Sequence, residues 1–226
     1  MDKVATLNSL REIGLVPVLR ADSVEMAVAI AIAIADSGVK ILEITMTIPG
    51  ALRVIQQLLK ERPDILLGAG TVLDPETARI CILEGANFIV SPALNVKTIE
   101  MCRSHAVAVF PGALTPTEIL TAWEAGADAI KVFPAGALGG PTYLASLKGP
   151  FPQIKVMPTG GVSLSNAAEF LRAGAFALGV GSDLVDPKAI AAGKPEIITE
   201  NARKYLAIIH KFRSQQLPIP TGDPAQ

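Results

Sequence analysis

A lysine stands in the middle of one apolar run, Ala129-Ile130-Lys131-Val132-Phe133, and a glutamate in the middle of another, Ile41-Leu42-Glu43-Ile44-Thr45. An unpaired buried charge costs several kcal/mol or is driven to its neutral form, so each residue needs a reason to be there. One reason is chemistry. An amine attacks a ketone only when unprotonated, and burial favours that form. A nearby arginine such as Arg20 favours it further, whereas an ionised Glu43 opposes it. A carboxylate beside a bound substrate moves protons, work worth roughly 10²–10⁴ in rate. The other reason is structural: Lys131 and Glu43 neutralise each other, or Lys131 lies near a rim and extends its head group to water. A bare ion pair stabilises little and can be replaced by apolar packing, so the two charges together favour a site.

Two glycine-bearing segments add an anion cradle. Thr159-Gly160-Gly161 precedes a helix start at Ser165-Asn166, and Gly179-Val180-Gly181-Ser182 closes a further apolar run. Glycines let backbone N–H groups approach an anion, and a helix N-terminus favours negative charge. Plain turn chemistry accounts for either segment alone; the pair points to phosphate.

Short β-rich runs alternate with helical ones along the chain. The strand expectations are 15–20, 41–45, 66–71, 88–92, 108–112, 129–134, 155–160 and 177–182, eight in all. Helix starts are marked by Asp22-Ser23, Pro75-Glu76, Pro116-Thr117-Glu118 and Ser165-Asn166. Gly38, Gly85, Gly126 and Gly174 each end a helix before the next strand. They are 47, 41 and 48 residues apart, so each gap holds two strand–helix units. Near-continuous apolar strands followed by helices argue for parallel pairing buried on both faces. The expected fold is α/β, a single (β/α)₈ barrel over 1–216. A helix over 2–13 precedes it, a closing helix spans 195–214, and a loose proline-rich tail covers 217–226. The competing architecture, an open doubly wound sheet, usually carries a Gly-rich turn after its first strand, and Leu19-Arg20-Ala21-Asp22 is not one. Residues 27–35 alternate alanine with valine or isoleucine; the alanine content and the flanking strands favour a helix.

In such a barrel the strand C-termini form the active face. There stand Arg20, Glu43 with Thr45 and Thr47, Thr71, Ser91-Pro92, Lys131, Thr159-Gly160-Gly161 and Gly181-Ser182. Residues two apart share a strand face, so Lys131 and Phe133 point together.

The bulk numbers narrow the field. A net charge of −1 over 226 residues, with no basic stripe, excludes an electrostatic footprint for nucleic acid. The longest apolar run, Met26 to Ala35, is too short for a bilayer, which needs about 20 residues, and no charged n-region precedes an apolar core as in a signal peptide. Cys81 and Cys102 lack pairing or metal spacing and read as reduced packing residues in a cytoplasmic protein. Two histidines, His105 and His210, make a zinc site a poor expectation.

With these residues in view, the chain resembles the class I aldolases that cleave 2-keto-3-deoxy-6-phosphogluconate (KDPG) and 4-hydroxy-2-oxoglutarate (KHG). The resemblance runs from about Leu15 to Val185. It rests on Val16-Pro17-Val18-Leu19, Leu42-Glu43-Ile44-Thr45, Gly68-Ala69-Gly70-Thr71-Val72-Leu73, Ile89-Val90-Ser91-Pro92, Lys131-Val132-Phe133-Pro134-Ala135 and Pro158-Thr159-Gly160-Gly161-Val162. It implies that Lys131 forms a Schiff base with the 2-keto carbon and that Glu43 transfers protons. Thr71 and Pro92 would line the pyruvyl end, and Phe133 would pack beside the imine. Thr159, Gly160, Gly161, Gly181 and Ser182 would hold the distal phosphate of a small 2-keto acid. It further implies a homotrimer with no metal and no cofactor. One position departs from the phosphogluconate-type pattern. Where that branch carries arginine four residues after the glutamate, this chain has Thr47. A related branch acting on the galactonate isomer also lacks that arginine and carries one at the end of strand one, as Arg20 does here.

The implied reaction is retro-aldol cleavage to pyruvate and an aldehyde, glyceraldehyde 3-phosphate or glyoxylate. Two other readings use the same glycine loops: a phosphate-binding barrel isomerase or decarboxylase that needs no imine, and a non-catalytic sensor of phosphorylated sugars.

Overall fold

The structure, a computed structural model, describes residues 2–215. The expected tail over 217–226 lies outside them. The chain opens with helix α1 (Lys3–Ile13), then alternates β1 (Leu15–Leu19), α2 (Val24–Ala35), β2 (Ile41–Thr45), α3 (Ala51–Glu61), β3 (Leu66–Gly70) and α4 (Pro75–Leu83). There follow β4 (Phe88–Val90), α5 (Val96–Ser104), β5 (Ala108–Phe110), β6 (Gly112–Ala113), α6 (Pro116–Glu124) and β7 (Ile130–Val132). After a 3₁₀ turn at Gly136–Leu138 come α7 (Gly140–Lys148), β8 (Val156–Pro158), α8 (Ala167–Arg172), β9 (Leu178–Val180), α9 (Pro187–Ala191) and α10 (Glu196–Ser214).

The strands form a curled, wholly parallel system: six in the order β5-β4-β3-β2-β1-β9 and three in the order β6-β7-β8. The expected single strand over 108–112 is instead two, β5 and β6, separated by Pro111, which has no N–H to give a ladder. The Lys131 N–H still donates to the Pro111 carbonyl at 2.9 Å. Parallel bridges Val156↔Ala175 and Thr159↔Gly179 join β8 to the β9 segment.

Local chemistry explains the boundaries. Ser23, Asp74 and Thr115 cap α2, α4 and α6 by accepting from backbone N–H groups, and Thr115 forms a full capping box with Glu118. Gly38, Gly85, Gly126 and Gly174 all take the left-handed conformation that ends a helix, with φ from 92° to 100°. The period-two run in 27–35 is a helix: α10 covers α2, with Thr199 Oγ1 donating to the Ala33 carbonyl at 2.7 Å, and α2 is buried on most of its faces.

Strand residues divide by parity between two cores. Leu42, Ile44, Leu67, Ala69, Ile130, Val132, Leu178 and Val180 pack outward against the helices. Val16, Ile41, Leu66, Phe88, Phe110, Ala129, Met157 and Ala177 form a second core together with Leu10 of α1. Lys131 lies two residues beyond Ala129 and Glu43 two beyond Ile41, so both stand on the inner face, one step nearer the strand C-termini.

Candidate active site

Glu43 and Lys131 meet across this interior. Lys131 Nζ lies 3.3 Å from Glu43 Oε1, with side-chain exposures of 4% and 0%. They come from β2 and β7, which are not neighbours in either sheet, so the pair is made by facing strands. The second carboxylate oxygen of Glu43, Oε2, is buried with no hydrogen-bond partner among the described residues. Leaving such an acceptor unpaired costs free energy, and a pair built for stability alone would satisfy it. Phe133, two residues beyond Lys131, places its ring 5.6 Å from Nζ. It precedes Pro134 across a cis peptide bond.

Phe133 also lines a cavity of about 380 Å³, together with Val18, Arg20, Thr159, Gly160, Gly161, Val162, Ser163, Gly181, Ser182 and Asp183; Lys131 and Glu43 do not line it themselves. It gathers seven of the residues picked out from sequence: Arg20, Phe133, Thr159, Gly160, Gly161, Gly181 and Ser182. Gly160 and Gly161 have φ of 80° and 84°, a conformation that glycine adopts without strain and that turns this loop over the strand ends. Their loop docks on the one after β7, where Gly136 N–H donates to the Gly160 carbonyl at 2.8 Å. Gly161 packs so closely on Gly136 that a methyl group on it would lie 2.7 Å from the Gly136 Cα. Thr159 is buried at 5% exposure, in room that Gly179 leaves for it: a methyl on Gly179 would fall 3.1 Å from Thr159 Cβ. Arg20 is an exposed cation at the end of β1 with no salt bridge to a described residue, so its charge is available to an anion in the cradle.

Thr71, Pro92 and Thr47 do not line this cavity. Thr71 directly follows β3 and holds φ at 57°, rare for a β-branched residue and costly by roughly 1–3 kcal/mol. Pro92 follows β4 and packs against Gly112, where a methyl would lie 2.6 Å from Ala93 N. Thr47 is exposed and shares a 2.9 Å hydroxyl contact with Thr45, which donates to the Leu19 carbonyl. That donation uses the only hydroxyl proton of Thr45, so Thr47 is the donor within the pair.

Sequence reasoning missed Asp183, whose only signal is adjacency to Ser182. Its Oδ2 accepts from Tyr205 Oη at 2.5 Å and from the Leu164 N–H at 3.2 Å, tying α10 to the cradle. Burial and this carboxylate together push the Tyr205 hydroxyl well above the ordinary tyrosine range. A larger hollow of about 580 Å³ between α2 and α10 is lined by Ile32, Ala33 and Thr199 among others, and holds no buried ionisable pair. Among the described residues no cluster of three His, Cys, Asp or Glu could hold a metal ion, and no helix is long and apolar enough to cross a membrane.

The arrangement can therefore attack a carbonyl with an amine, move a proton with a carboxylate beside it and hold an anion a few residues away. The chain is similar to proteins of known family. A model of the KDPG and KHG aldolases matches residues 7–201. The chain is 34% identical to the 2-dehydro-3-deoxy-phosphogluconate aldolase of Treponema pallidum over 206 residues, covering 91% of this chain and 98% of that one. It is 38% identical to the enzyme of the same name from Pseudomonas aeruginosa, covering 83% and 86%. A crystal structure of the KDPG aldolase of Legionella pneumophila, with pyruvate captured as a covalent carbinolamine intermediate, superposes with a TM-score of 0.82 at 30% identity, covering 88% of this chain and 96% of that one.

Proposed function

Since this chain belongs to the KDPG and KHG aldolase family, we propose that it cleaves a phosphorylated 2-keto-3-deoxy sugar acid to pyruvate and an aldehyde through an imine on Lys131. The observation that carries this is the buried Lys131–Glu43 pair, 3.3 Å apart, with Phe133 linking Lys131 to the glycine-lined cavity. The lysine adds to C2 of the substrate and expels water, and the protonated imine becomes the electron sink. Glu43, directly or through a water, takes the C4 hydroxyl proton. The C3–C4 bond breaks and its electrons pass into an enamine as the aldehyde leaves. Protonation at C3 and hydrolysis return the amine and release pyruvate. Only lysine serves here, because arginine cannot be deprotonated.

In this reading Thr71 and Pro92 border the pyruvyl end and Phe133 packs beside the imine. Arg20 joins Thr159, Gly160, Gly161, Gly181 and Ser182 on the distal phosphate, because it shares their cavity. Thr47, without charge, leaves the substrate carboxylate to neighbouring donors.

The same proposal extends to architecture. The inward parity of β1 to β5 and β8, with the bridges from β8 to the β9 segment, supports a closed (β/α)₈ barrel over residues 1–216. Leu73, Ile80 and Leu83 on and before α4 are exposed at 58%, 48% and 68%, an apolar face that suits contact with another copy, in keeping with the homotrimer that the family resemblance implies. Two buried, unpaired cysteines suit a cytoplasmic enzyme.

The test is pyruvate release, coupled to lactate dehydrogenase, from KDPG, its galactonate epimer and KHG. The expected result is release from a phosphorylated substrate that Lys131→Arg abolishes. A Lys131→Arg variant that keeps part of its activity would favour an imine-free isomerase or decarboxylase. Binding without release would favour a sensor.

A further inference from the structure

Among the described residues four glycines lie within strands: Gly68 and Gly70 in β3, Gly112 in β6 and Gly179 in β9. None has positive φ, so backbone conformation does not call for glycine, and an interior glycine weakens a strand. Space is the remaining reason. At Gly70 a methyl group would fall 2.6 Å from the Glu43 carboxyl carbon, 2.5 Å from its Cγ and closer still to Oε1, the oxygen that faces Lys131. Gly70 pairs with Thr45, two residues beyond Glu43 on the same face. The glutamate side chain leans along its strand and lies across the bare Gly70 backbone.

Glu43 needs such a seat. Its carboxylate is fully buried and, among the described residues, has Lys131 as its one polar partner and leaves Oε2 unpaired. No hydrogen bond from a supporting residue orients it, so packing has to. Proton transfer needs a base within hydrogen-bond reach, and a misplacement of about 1 Å can cost roughly 10²-fold in rate. We propose that Gly70 is a positioning residue, whose missing side chain is the seat that holds the Glu43 carboxylate against Lys131. The proposal rests on the reading of Glu43 as the proton-transfer group.

The test compares wild type, Gly70→Ala, Glu43→Ala and the double variant in kcat and KM for pyruvate release and in thermal midpoint. Gly68→Ala is the matched control: it lies on the same strand and face, but its methyl would meet the Phe88 ring at 2.5 Å in the apolar layer. Gly70→Ala is expected to lower kcat about 10²-fold with KM within about threefold. Added to Glu43→Ala it should cost no more than about a further threefold, because the atoms it would strike are gone. Gly68→Ala should lower the thermal midpoint and keep kcat within about threefold. Were Gly70→Ala to fail to fold, a double variant that folds would support the seat, and one equally unfolded would overturn it. A Gly70→Ala kcat within threefold of wild type, or a full multiplicative loss in the double variant, also overturns it. Loss of activity in Glu43→Ala with a silent Gly70→Ala defeats the seat alone. Full activity in Glu43→Ala defeats the reading of Glu43 and the seat with it.

Discussion

The inner faces of the strands carry two layers of opposite character. Val16, Ile41 and Leu66, two residues before the level of Val18, Glu43 and Gly68, belong to one apolar core with Leu10, Phe88, Phe110 and Met157. One step toward the C-terminal ends, Glu43 and Lys131 occupy equivalent positions as a buried ion pair with an unpaired oxygen. The first layer gains free energy in proportion to the apolar area it removes from water. The second spends desolvation free energy that its mutual attraction barely repays. Alternate residues of single strands, Ile41 and Glu43, Ala129 and Lys131, thus serve stability and chemistry within two positions of each other. The glycines follow the same division, with Gly68 making room for Phe88 and Gly70 for Glu43.

The harshest way to break the contrast is to make both layers apolar. Lys131→Met with Glu43→Leu should abolish turnover while leaving the unfolding free energy unchanged or raised by about 1–4 kcal/mol, as found when buried ion pairs are replaced by packing. A clear loss of stability in denaturant titration would mean that the pair is structural. Next, Glu43→Gln keeps the shape and removes the charge; kcat should fall by roughly 10²–10⁴, and near-normal turnover would demote Glu43 to a counter-charge. In the apolar core, Phe88→Ala should cost about 3–5 kcal/mol of stability with kcat of the folded fraction preserved. A large kcat loss would show that the layers are not separable.

The smallest effect lies at the join between α10 and the cradle. Burial and Asp183 hold the Tyr205 hydroxyl protonated above its ordinary range. A group raised in the folded state contributes stability that is full below its unfolded value, near 10 for tyrosine, and is lost as pH climbs beyond it. Tyr205→Phe should therefore flatten the alkaline decline in thermal midpoint above about pH 10 and leave the profile near neutrality unchanged in shape.

Much of this was legible beforehand because it depends on patterns that the chain writes locally. The strand runs, the capping residues Ser23, Asp74 and Thr115, and the four helix-ending glycines each declare themselves over a few residues. Lys131 and Glu43 stood out because a charge interrupts an apolar run. What could not be read was anything decided by close approach between distant segments. The 3.3 Å separation across 88 residues of sequence is one case, and the room that Gly70 leaves for Glu43 is another. Asp183 also escaped notice, since an exposed aspartate after a serine has no local signature; its hydrogen bond to Tyr205, 22 residues on, gives it meaning. Pro111 splits the fifth strand for a reason visible in sequence, the missing N–H, yet flanking apolar residues masked it.

The most direct measurement is covalent. Incubation with pyruvate and borohydride, followed by intact-mass and peptide analysis, should give one reduced pyruvyl adduct per chain, on Lys131. No adduct, or an adduct on another lysine, would contradict the account at its centre.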